Sequence, residues 1–236
     1  MNNIDQIKHL LDGVKTRGWV KTLRAGATGI GYTLETLLNI SENNLQHPDL
    51  LGYELKSKRK ASSNSMMTMF TLSPLPVRSN NILRDKYGYN DNDTSKKILH
   101  TTLSMSKETK MGTGTILKLY NENNAIHIGT DKVIENIFWN KDRIEKAFNK
   151  KIKNNIILVN AETKGIGKDE EFLFNEAFML SGFNFESFMT LIQEGKILID
   201  LRIGQYPNGK THDHGTAFRI KDSDKHLLFK NIEKLI

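Results

Sequence analysis

The chain has 236 residues, with 34 Lys and Arg against 27 Asp and Glu, which gives a formal net charge of +7. Cysteine is absent, which excludes disulfides, thiolate catalysis and cysteine-based zinc or iron–sulfur sites. No apolar run approaches the ~20 residues that cross a bilayer, and the first residues lack the pattern of a signal peptide, so we expect a cytoplasmic protein. The basic balance favours a polyanionic partner, although a basic surface that only aids solubility explains the same charge.

The first forty residues predict two helices separated by a loop. Apolar side chains recur at helical spacing over residues 4–14, which predicts an amphipathic helix. The glycine-rich segment 25–31 predicts a flexible loop that leads into a second helix over 32–40. Glu35 lies on this second helix, outside its apolar stripe.

From Leu51 the sequence alternates with a period of two. This pattern predicts a strand that carries Glu54, Lys56 and Lys58 on one face. A further apolar run over 65–72 ends at a turn that contains two prolines. We interpret the two runs as a strand pair.

The middle of the chain predicts two short strands and a helix. Apolar residues at 116–119 and 125–128 flank an asparagine-rich turn at 121–124, which indicates two strands. The segment 132–150 has apolar residues at helical spacing and predicts one long helix.

The last third predicts a strand, a helix and another strand. The continuous apolar run 156–159 is short enough for a buried central strand. Residues 186–194 predict a helix and 197–203 a strand. No internal repeat or linker interrupts the chain, which favours one compact unit.

The segment from Asp49 to Lys56 carries residue types that suit phosphodiester hydrolysis. Asp49 and Glu54 provide carboxylates for a divalent cation, and Lys56 provides a charge that orients water or phosphate. Ligation by oxygen alone suits Mg²⁺. The alternative is a solvated strand face, because an acid followed by Glu-x-Lys is common in unrelated proteins.

A basic run follows the carboxylates, and in it Lys58 and Arg59 are candidates for contacts with DNA phosphates. The alternative is a charged edge strand that resists aggregation.

A second constellation combines Arg202, His212, Asp213, His214 and Arg219. These donors and acceptors suit the edges of DNA bases, and arginine can address guanine with two hydrogen bonds. The two histidines would also share a strand face as zinc ligands, but no third ligand is evident nearby. A polar hairpin whose His and Asp cap a turn is the structural alternative.

The sequence lacks the common nucleotide-binding motifs. No GxxxxGK[ST] phosphate loop or dinucleotide-binding glycine motif is present, so use of ATP or NAD is unsupported. We interpret the large apolar side chains of Trp19, Trp139, Met66, Met67 and Met69 as core residues rather than base-stacking elements.

Together these motifs resemble the MvaI/BcnI group of type II restriction endonucleases, which are related to the mismatch-repair nickase MutH. The resemblance covers most of the chain in the right order, and its last stretch is the most specific. The matching stretches are 28–35, 48–49 with 54–56, 161–164, and 202–204 with 209–219.

This resemblance implies roles for the candidate residues. Asp49, Glu54 and Lys56 would form the active site, with Asp49 and Glu54 as ligands of Mg²⁺. Glu35 would be an accessory acidic residue that reaches the site from the preceding helix. A lysine ahead of the strand at 156, Lys151 or Lys153, would approach the phosphate.

The resemblance also implies an α/β fold of the PD-(D/E)XK, MutH-like type, in which helices flank a mixed β-sheet and two lobes surround a DNA cleft. Residues 1–160 would form mainly the catalytic lobe and 161–236 mainly the recognition lobe. The enzyme would act as a monomer on double-stranded DNA at a CCWGG-type or CCNGG-type site and leave 5′-phosphate ends. A cognate DNA methyltransferase is expected in the same system.

Two further functions remain open. A MutH-like nickase would cut one strand, but the spacing from Asp49 to Glu54 is shorter than in MutH, and the His-Asp-His segment has no obvious counterpart there. A non-catalytic DNA-binding module would bind with strong salt dependence without cutting.

Overall fold

The computed structural model describes residues 2–40, 50–60, 65–152, 155–213 and 215–236. Three candidate residues, Asp49, Lys153 and His214, lie outside these ranges. The helices are α1 (Asn3–Lys15), α2 (Gly29–Leu37), α3 (Ser79–Tyr87), α4 (Lys141–Lys151), α5 (Phe185–Gln193) and α6 (Lys225–Leu228). The strands are β1 (Val20–Lys21), β2 (Glu54–Arg59), β3 (Met66–Thr71), β4 (Tyr89–Asn90), β5 (Lys97–Leu103), β6 (Thr109–Lys110), β7 (Ile116–Glu122), β8 (Ala125–Gly129), β9 (Ile134–Asn140), β10 (Ile156–Lys164), β11 (Glu171–Ser181), β12 (Ile197–Gln205), β13 (Thr211–Asp213), β14 (Ala217–Lys221) and β15 (Asn231–Lys234).

The chain forms two compact units that are interleaved along the sequence. The first unit comprises Met1–Ser65, Lys150–Phe183 and Lys225–Ile236, and the second comprises Met66–Asn149 and Asn184–Asp224. These units do not coincide with the predicted division at residue 160, because the chain crosses between them four times. The assignment of catalysis to one lobe and recognition to the other stays a prediction. Among the described residues, no helix is long and apolar enough to cross a membrane.

The first unit is built on one sheet with the strand order β1-β11-β10-β2, and β15 pairs with β11. The predicted strand at 156–159 is confirmed as buried and central, since β10 lies between β11 and β2. Strands β10 and β2 run parallel, with Ile156 opposite Glu54 and Leu158 opposite Lys56. Helices α1 and α2 cover one face, where the core includes Leu11, Leu34, Leu55, Val159 and Phe172.

The second unit contains two sheets. One has the order β3-β14-β12-β5-β4, with β13 paired to β12, and the other has the order β6-β7-β8-β9. Alternate residues of β12 are fully buried on one face, against which α5 packs. Aromatic rings of Phe70, Phe188 and Phe218 pack together there, with centroids 4.9 Å apart for Phe70 and Phe218 and 5.5 Å apart for Phe70 and Phe188.

Several predicted elements differ from the structure. The predicted strand pair is wrong, because β2 pairs with β10 and β3 pairs with β14 in another sheet. The predicted helix over 132–150 is strand in its first part, and helix α4 begins only at Lys141. Hydrogen bonding to β8 explains this, since it buries Ile137 and Trp139 at a period of two.

The predicted core residues are also partly corrected. Trp139 and Met69 are fully buried and Met67 is 7% exposed, whereas Trp19 is 38% exposed. The Lys164 ammonium lies 4.5 Å from the centroid of the Trp19 ring, so this indole packs against a cation at the surface.

Helix α2 begins at Gly29, three residues before the predicted start, because glycine permits a close approach there. A Cβ atom at Gly29 would lie 2.1 Å from the carbonyl oxygen of Arg24. The side chain of Thr33 accepts a hydrogen bond from the backbone N–H of Leu23 at 3.0 Å. These contacts fold the loop back tightly against the first turn of α2.

Candidate functional site

A buried carboxylate between two lysines marks the start of β2. The side chain of Glu54 is 1% exposed, and its Oε1 accepts a hydrogen bond from Nζ of Lys56 at 2.6 Å. The ammonium of Lys151, at the end of α4, lies 3.1 Å from Oε2. We call Glu54, Lys56 and Lys151 the β2 acid cluster. The structure thus confirms that Glu54 and Lys56 share a strand face.

Local structure explains the burial of Glu54. Leu55 points into the apolar core, so alternation along the strand sends Glu54 and Lys56 to the other face. There the neighbours Ile156 and Leu158 on the parallel strand lie opposite Glu54 and Lys56 and are buried. A carboxylate in such surroundings needs compensating cations, and the two lysines supply them.

One oxygen of Glu54 retains capacity for another ligand. Among the described residues, Oε2 receives no hydrogen bond of acceptable geometry, although Nζ of Lys151 is within ion-pair distance. Coulomb attraction depends on distance more than angle, so we treat the contact as an ion pair that leaves lone pairs of Oε2 unused. The described part of the chain contains no group of three or more His, Asp or Glu placed to hold a metal ion.

Glu35 lies on α2, whose Gly31 faces β2. A cavity of about 330 Å³ is lined by Glu35 together with Arg24, Thr28 and Ser57. Because Ser57 and Lys56 are neighbours on the strand, they point to opposite faces of β2. The Glu35 helix therefore packs on the face of Ser57, and the accessory role of Glu35 stays a prediction.

Lys58 continues the face of Glu54 and Lys56 along β2. Burial, together with the nearby charge of Lys225 on α6, lowers the pKa of Lys58 below its ordinary value. The pKa of Lys225 is also lowered by burial. Lys58 therefore lies near a second partly buried ammonium group, and its predicted contact with a DNA phosphate stays a prediction.

Arg59 points to the opposite face and contacts the protein itself. Its Nε and one terminal nitrogen donate to the two carboxylate oxygens of Glu170 at 2.6 and 2.7 Å. The guanidinium also donates to the carbonyl oxygens of Gly26 and Ala27, at 3.0 and 3.3 Å. These contacts favour a structural role for Arg59 over the predicted contact with DNA.

In the second unit, two of the candidate arginines share one buried acid. Asp200 is fully buried, and its Oδ2 accepts a hydrogen bond from Nε of Arg202 at 2.9 Å and forms an ion pair with the guanidinium of Arg219, also at 2.9 Å. Its Oδ1 accepts from the hydroxyl of Thr102 at 2.7 Å. We call Asp200, Arg202 and Arg219 the arginine face.

Strand register extends this polar face across the sheet. Arg202 lies opposite His100 on β5, and the Nε of Arg219 donates to the hydroxyl of Thr68 on β3 at 3.0 Å. Asp200 and these neighbours were not among the residues predicted for the site. The signal for Asp200 was available, because it is the one acid in the apolar run 197–201.

The candidate residues His212 and Asp213 lie on the hairpin at 205–213. The ring of His212 stacks on Tyr206, with centroids 4.4 Å apart. The Asp213 carboxylate accepts hydrogen bonds from Ser73 at 3.0 Å, from the backbone of Gly215 at 2.8 Å, and from the side chain of Asn80. Asp213 therefore caps a turn, as the structural alternative predicted.

These features define a class of protein before any comparison. The lysines beside one buried acid and the arginines beside another are partly exposed, and both are residue types that bind phosphate and other anions. A basic chain with both is typical of proteins that act on a polyanion.

Comparison with known proteins identifies the family. A model of the MvaI/BcnI restriction endonuclease family matches residues 8–229, and the chain belongs to this family. It is similar to the restriction endonuclease MvaI in complex with its cognate DNA substrate, with 30% identity and a TM-score of 0.88 over 100% of this chain and 99% of that chain. It is also similar to MvaI without DNA, with 29% identity and a TM-score of 0.59 over 100% of this chain and 98% of that chain. No curated protein matches the chain.

These comparisons confirm the resemblance that the motifs indicated. The mixed α/β fold, with several sheets flanked by helices, is the fold of a restriction endonuclease. The chain therefore belongs to a family of site-specific DNA nucleases.

Proposed function

We propose that this chain is a type II restriction endonuclease that hydrolyses both strands of double-stranded DNA at a short GC-rich site. The observation that carries the proposal is the β2 acid cluster, in which Glu54 is buried between the ammonium groups of Lys56 and Lys151. Family membership over residues 8–229 supports the same activity. The Glu-x-Lys strand fits the active-site strand of a PD-(D/E)XK nuclease.

The residues present fit a magnesium ion. Oε2 of Glu54 is buried without a hydrogen bond from the described residues, and a carboxylate oxygen is the ligand that Mg²⁺ prefers. Glu54 and Asp49 would hold the ion, although Asp49 lies outside the described residues. When bound, Mg²⁺ lowers the pKa of a coordinated water and stabilises the charge that develops on the phosphate.

The two lysines have distinct tasks in this proposal. The 2.6 Å bond to Oε1 of Glu54 fixes the ammonium of Lys56, which orients the attacking water beside the scissile phosphate. Lys151 binds the phosphate from α4 and offsets its growing negative charge. Attack in line with the leaving 3′ oxygen gives a 5′-phosphate and a 3′-hydroxyl.

The arginine face would read the bases. Each guanidinium can donate two hydrogen bonds to O6 and N7 of guanine in the major groove, and Asp200 holds Arg202 and Arg219 in place before DNA arrives. Half-buried His212 and exposed His100 flank this surface. The proposed site is of the CCWGG or CCNGG type, read by a monomer and protected by a cognate methyltransferase.

Digestion of unmethylated phage DNA with the purified protein tests the proposal. With Mg²⁺ we expect discrete fragments whose sequenced ends share one motif, and with EDTA we expect intact DNA. Cleavage of only one strand in plasmid DNA would support the MutH-like nickase instead. Salt-dependent binding without cleavage in Mg²⁺ would identify a DNA-binding module and contradict the proposal.

A further inference from the structure

Arg59 connects three parts of the first unit. It ends β2, it pairs with Glu170 just ahead of β11, and it bonds the carbonyl oxygens of Gly26 and Ala27 in the loop before α2. Four of the five guanidinium N–H groups are used in these bonds, two of them on the carboxylate. The guanidinium also lies 5.3 Å from the ring centroid of Phe172.

Burial strengthens these contacts. The side chain of Glu170 is 11% exposed and that of Arg59 is 27% exposed. A bidentate pair between arginine and carboxylate is geometrically specific, and partial exclusion of water increases its strength. A guanidinium with four bonds inside the protein has little capacity left for a DNA phosphate.

The bonded loop controls the beginning of α2. Thr28, the N-cap of α2, makes no side-chain capping bond, and the bonds from Arg59 to the loop carbonyl groups add to the bond between Leu23 and Thr33. The helix then packs against β2, where the Cβ position of Gly31 lies 3.6 Å from the hydroxyl of Ser57. Movement of the loop would shift α2, and with it Glu35, relative to the strand that carries Glu54 and Lys56.

We propose that Arg59 and Glu170 form a strut that fixes the loop 24–28 and α2 against β2. Arg59 is therefore a positioning residue for the active site and does not contact DNA. This inference concerns the reaction given under the proposed function and rests on it, but the strut itself is a structural claim that can be tested without cleavage.

The test compares Arg59→Gln and Glu170→Gln with a matched control, Lys58→Gln. The two strut variants change charge in opposite directions, yet we expect both to increase amide hydrogen exchange over 24–31 by about 10-fold, since each loses bonds to a charged group. In both, single-turnover cleavage should fall by about 10- to 100-fold, because small displacements of reacting groups have effects of this size.

Binding to cognate duplex in EDTA provides the contrast. Arg59→Gln should leave the slope of log affinity against log salt unchanged, whereas Lys58→Gln should reduce its magnitude by about 1, the loss of one phosphate contact. Lys58→Gln should leave amide exchange over 24–31 at the wild-type rate. Arg59→Lys keeps the positive charge but lacks the planar guanidinium, so its amides over 24–31 should exchange faster than those of the wild type. This variant replaces Arg59→Gln in the test if Arg59→Gln fails to fold.

Three results would overturn the strut. They are unchanged exchange over 24–31 in both glutamine variants, a salt slope that Arg59→Gln lowers as Lys58→Gln does, or wild-type exchange and cleavage in Arg59→Lys. If the wild-type protein fails to cut DNA in Mg²⁺, the proposed function fails, and amide exchange alone then decides for or against the strut.

Discussion

Two buried acids, Glu54 in the first unit and Asp200 in the second, each hold two cations but with different partners. Glu54 pairs with the lysines of the β2 acid cluster, and Asp200 pairs with the arginines of the arginine face. A lysine ammonium is a point charge on a flexible stem, whereas a guanidinium is a rigid fork. Under the proposed function, the first arrangement would exchange its contacts as a phosphate enters and reacts, and the second would fix its donors in advance.

Removal of the charge on Glu54 should have the largest effect and tests the proposed role of the first buried acid. Glu54→Gln should lower single-turnover cleavage by about 10³-fold, because the proposed metal ligand and the anchor of Lys56 would be lost together. Binding in EDTA should not weaken, since a negative charge near DNA phosphates is removed. Glu162→Gln, at a carboxylate of β10 that is 48% exposed, is the control and should cut normally. A Glu54→Gln protein as active as wild type would contradict the catalytic assignment.

The corresponding change in the second unit should affect stability and specificity. Asp200→Asn leaves two arginines without their shared buried anion, so we expect a loss of about 3 kcal/mol in the free energy of unfolding. Discrimination between the cognate duplex and one with a single changed base pair should fall by about 10- to 100-fold. Urea unfolding and competition binding measure the two effects.

Asp213→Asn is the matched control for Asp200, because the described residues that donate to its carboxylate are all neutral. It should lower the unfolding free energy by about 1 kcal/mol and leave base discrimination intact. Lost discrimination in Asp213→Asn with normal discrimination in Asp200→Asn would reverse the roles of the two acids.

A single lysine of the β2 acid cluster should matter less than its acid. Lys151→Gln should reduce single-turnover cleavage by about 10-fold, the value of one charged hydrogen bond to the phosphate. Its neighbour Lys150 is exposed on the same helix, so Lys150→Gln serves as the control. Equal rates in the two variants would show that Lys151 does not approach the phosphate.

The smallest effect concerns pH. The pKa of Lys58 in the folded protein is below its ordinary 10.5, so at low pH the buried charge lowers the free energy of unfolding by its full amount. As pH rises through the lowered pKa toward 10.5, that penalty disappears and stability increases. A phosphate raises the pKa again, so DNA binding takes up protons and weakens with rising pH in this window. Lys58→Met should remove that part of the pH dependence of the dissociation constant, which fluorescence titration measures; an unchanged profile would exclude Lys58.

Local patterns were sufficient to predict part of the site. The alternation from Leu51 placed Glu54 and Lys56 on one face, and their 2.6 Å contact confirms it. A short-range sequence pattern also predicted the asparagine turn between β7 and β8, where Asn123 and Asn124 both have positive φ, at 52° and 58°. The roles of Asp49 and His214 stay predictions.

Long-range pairing accounts for what was missed. The partner of β2 is β10, which begins 102 residues after Glu54, and no local pattern specifies such a pairing. Asp200 gained its importance only from the register of β12 with β14 and β5, which brings Arg219 and Thr102 beside it. For the segment 134–140 the local pattern was misleading. Its apolar residues fit a helix, but pairing with β8 makes it a strand.

The interleaved order of the two units also affects biosynthesis. The ribosome delivers β2, with Glu54 and Lys56, long before β10 and β11 emerge, and most of the second unit is made in between. A nascent chain shorter than about residue 181 therefore lacks the complete sheet on which β2 is aligned. We therefore expect fragments that end before this point to lack the proposed nuclease activity, because the carboxylate of Glu54 and its two lysines come together only after most of the chain has been synthesised.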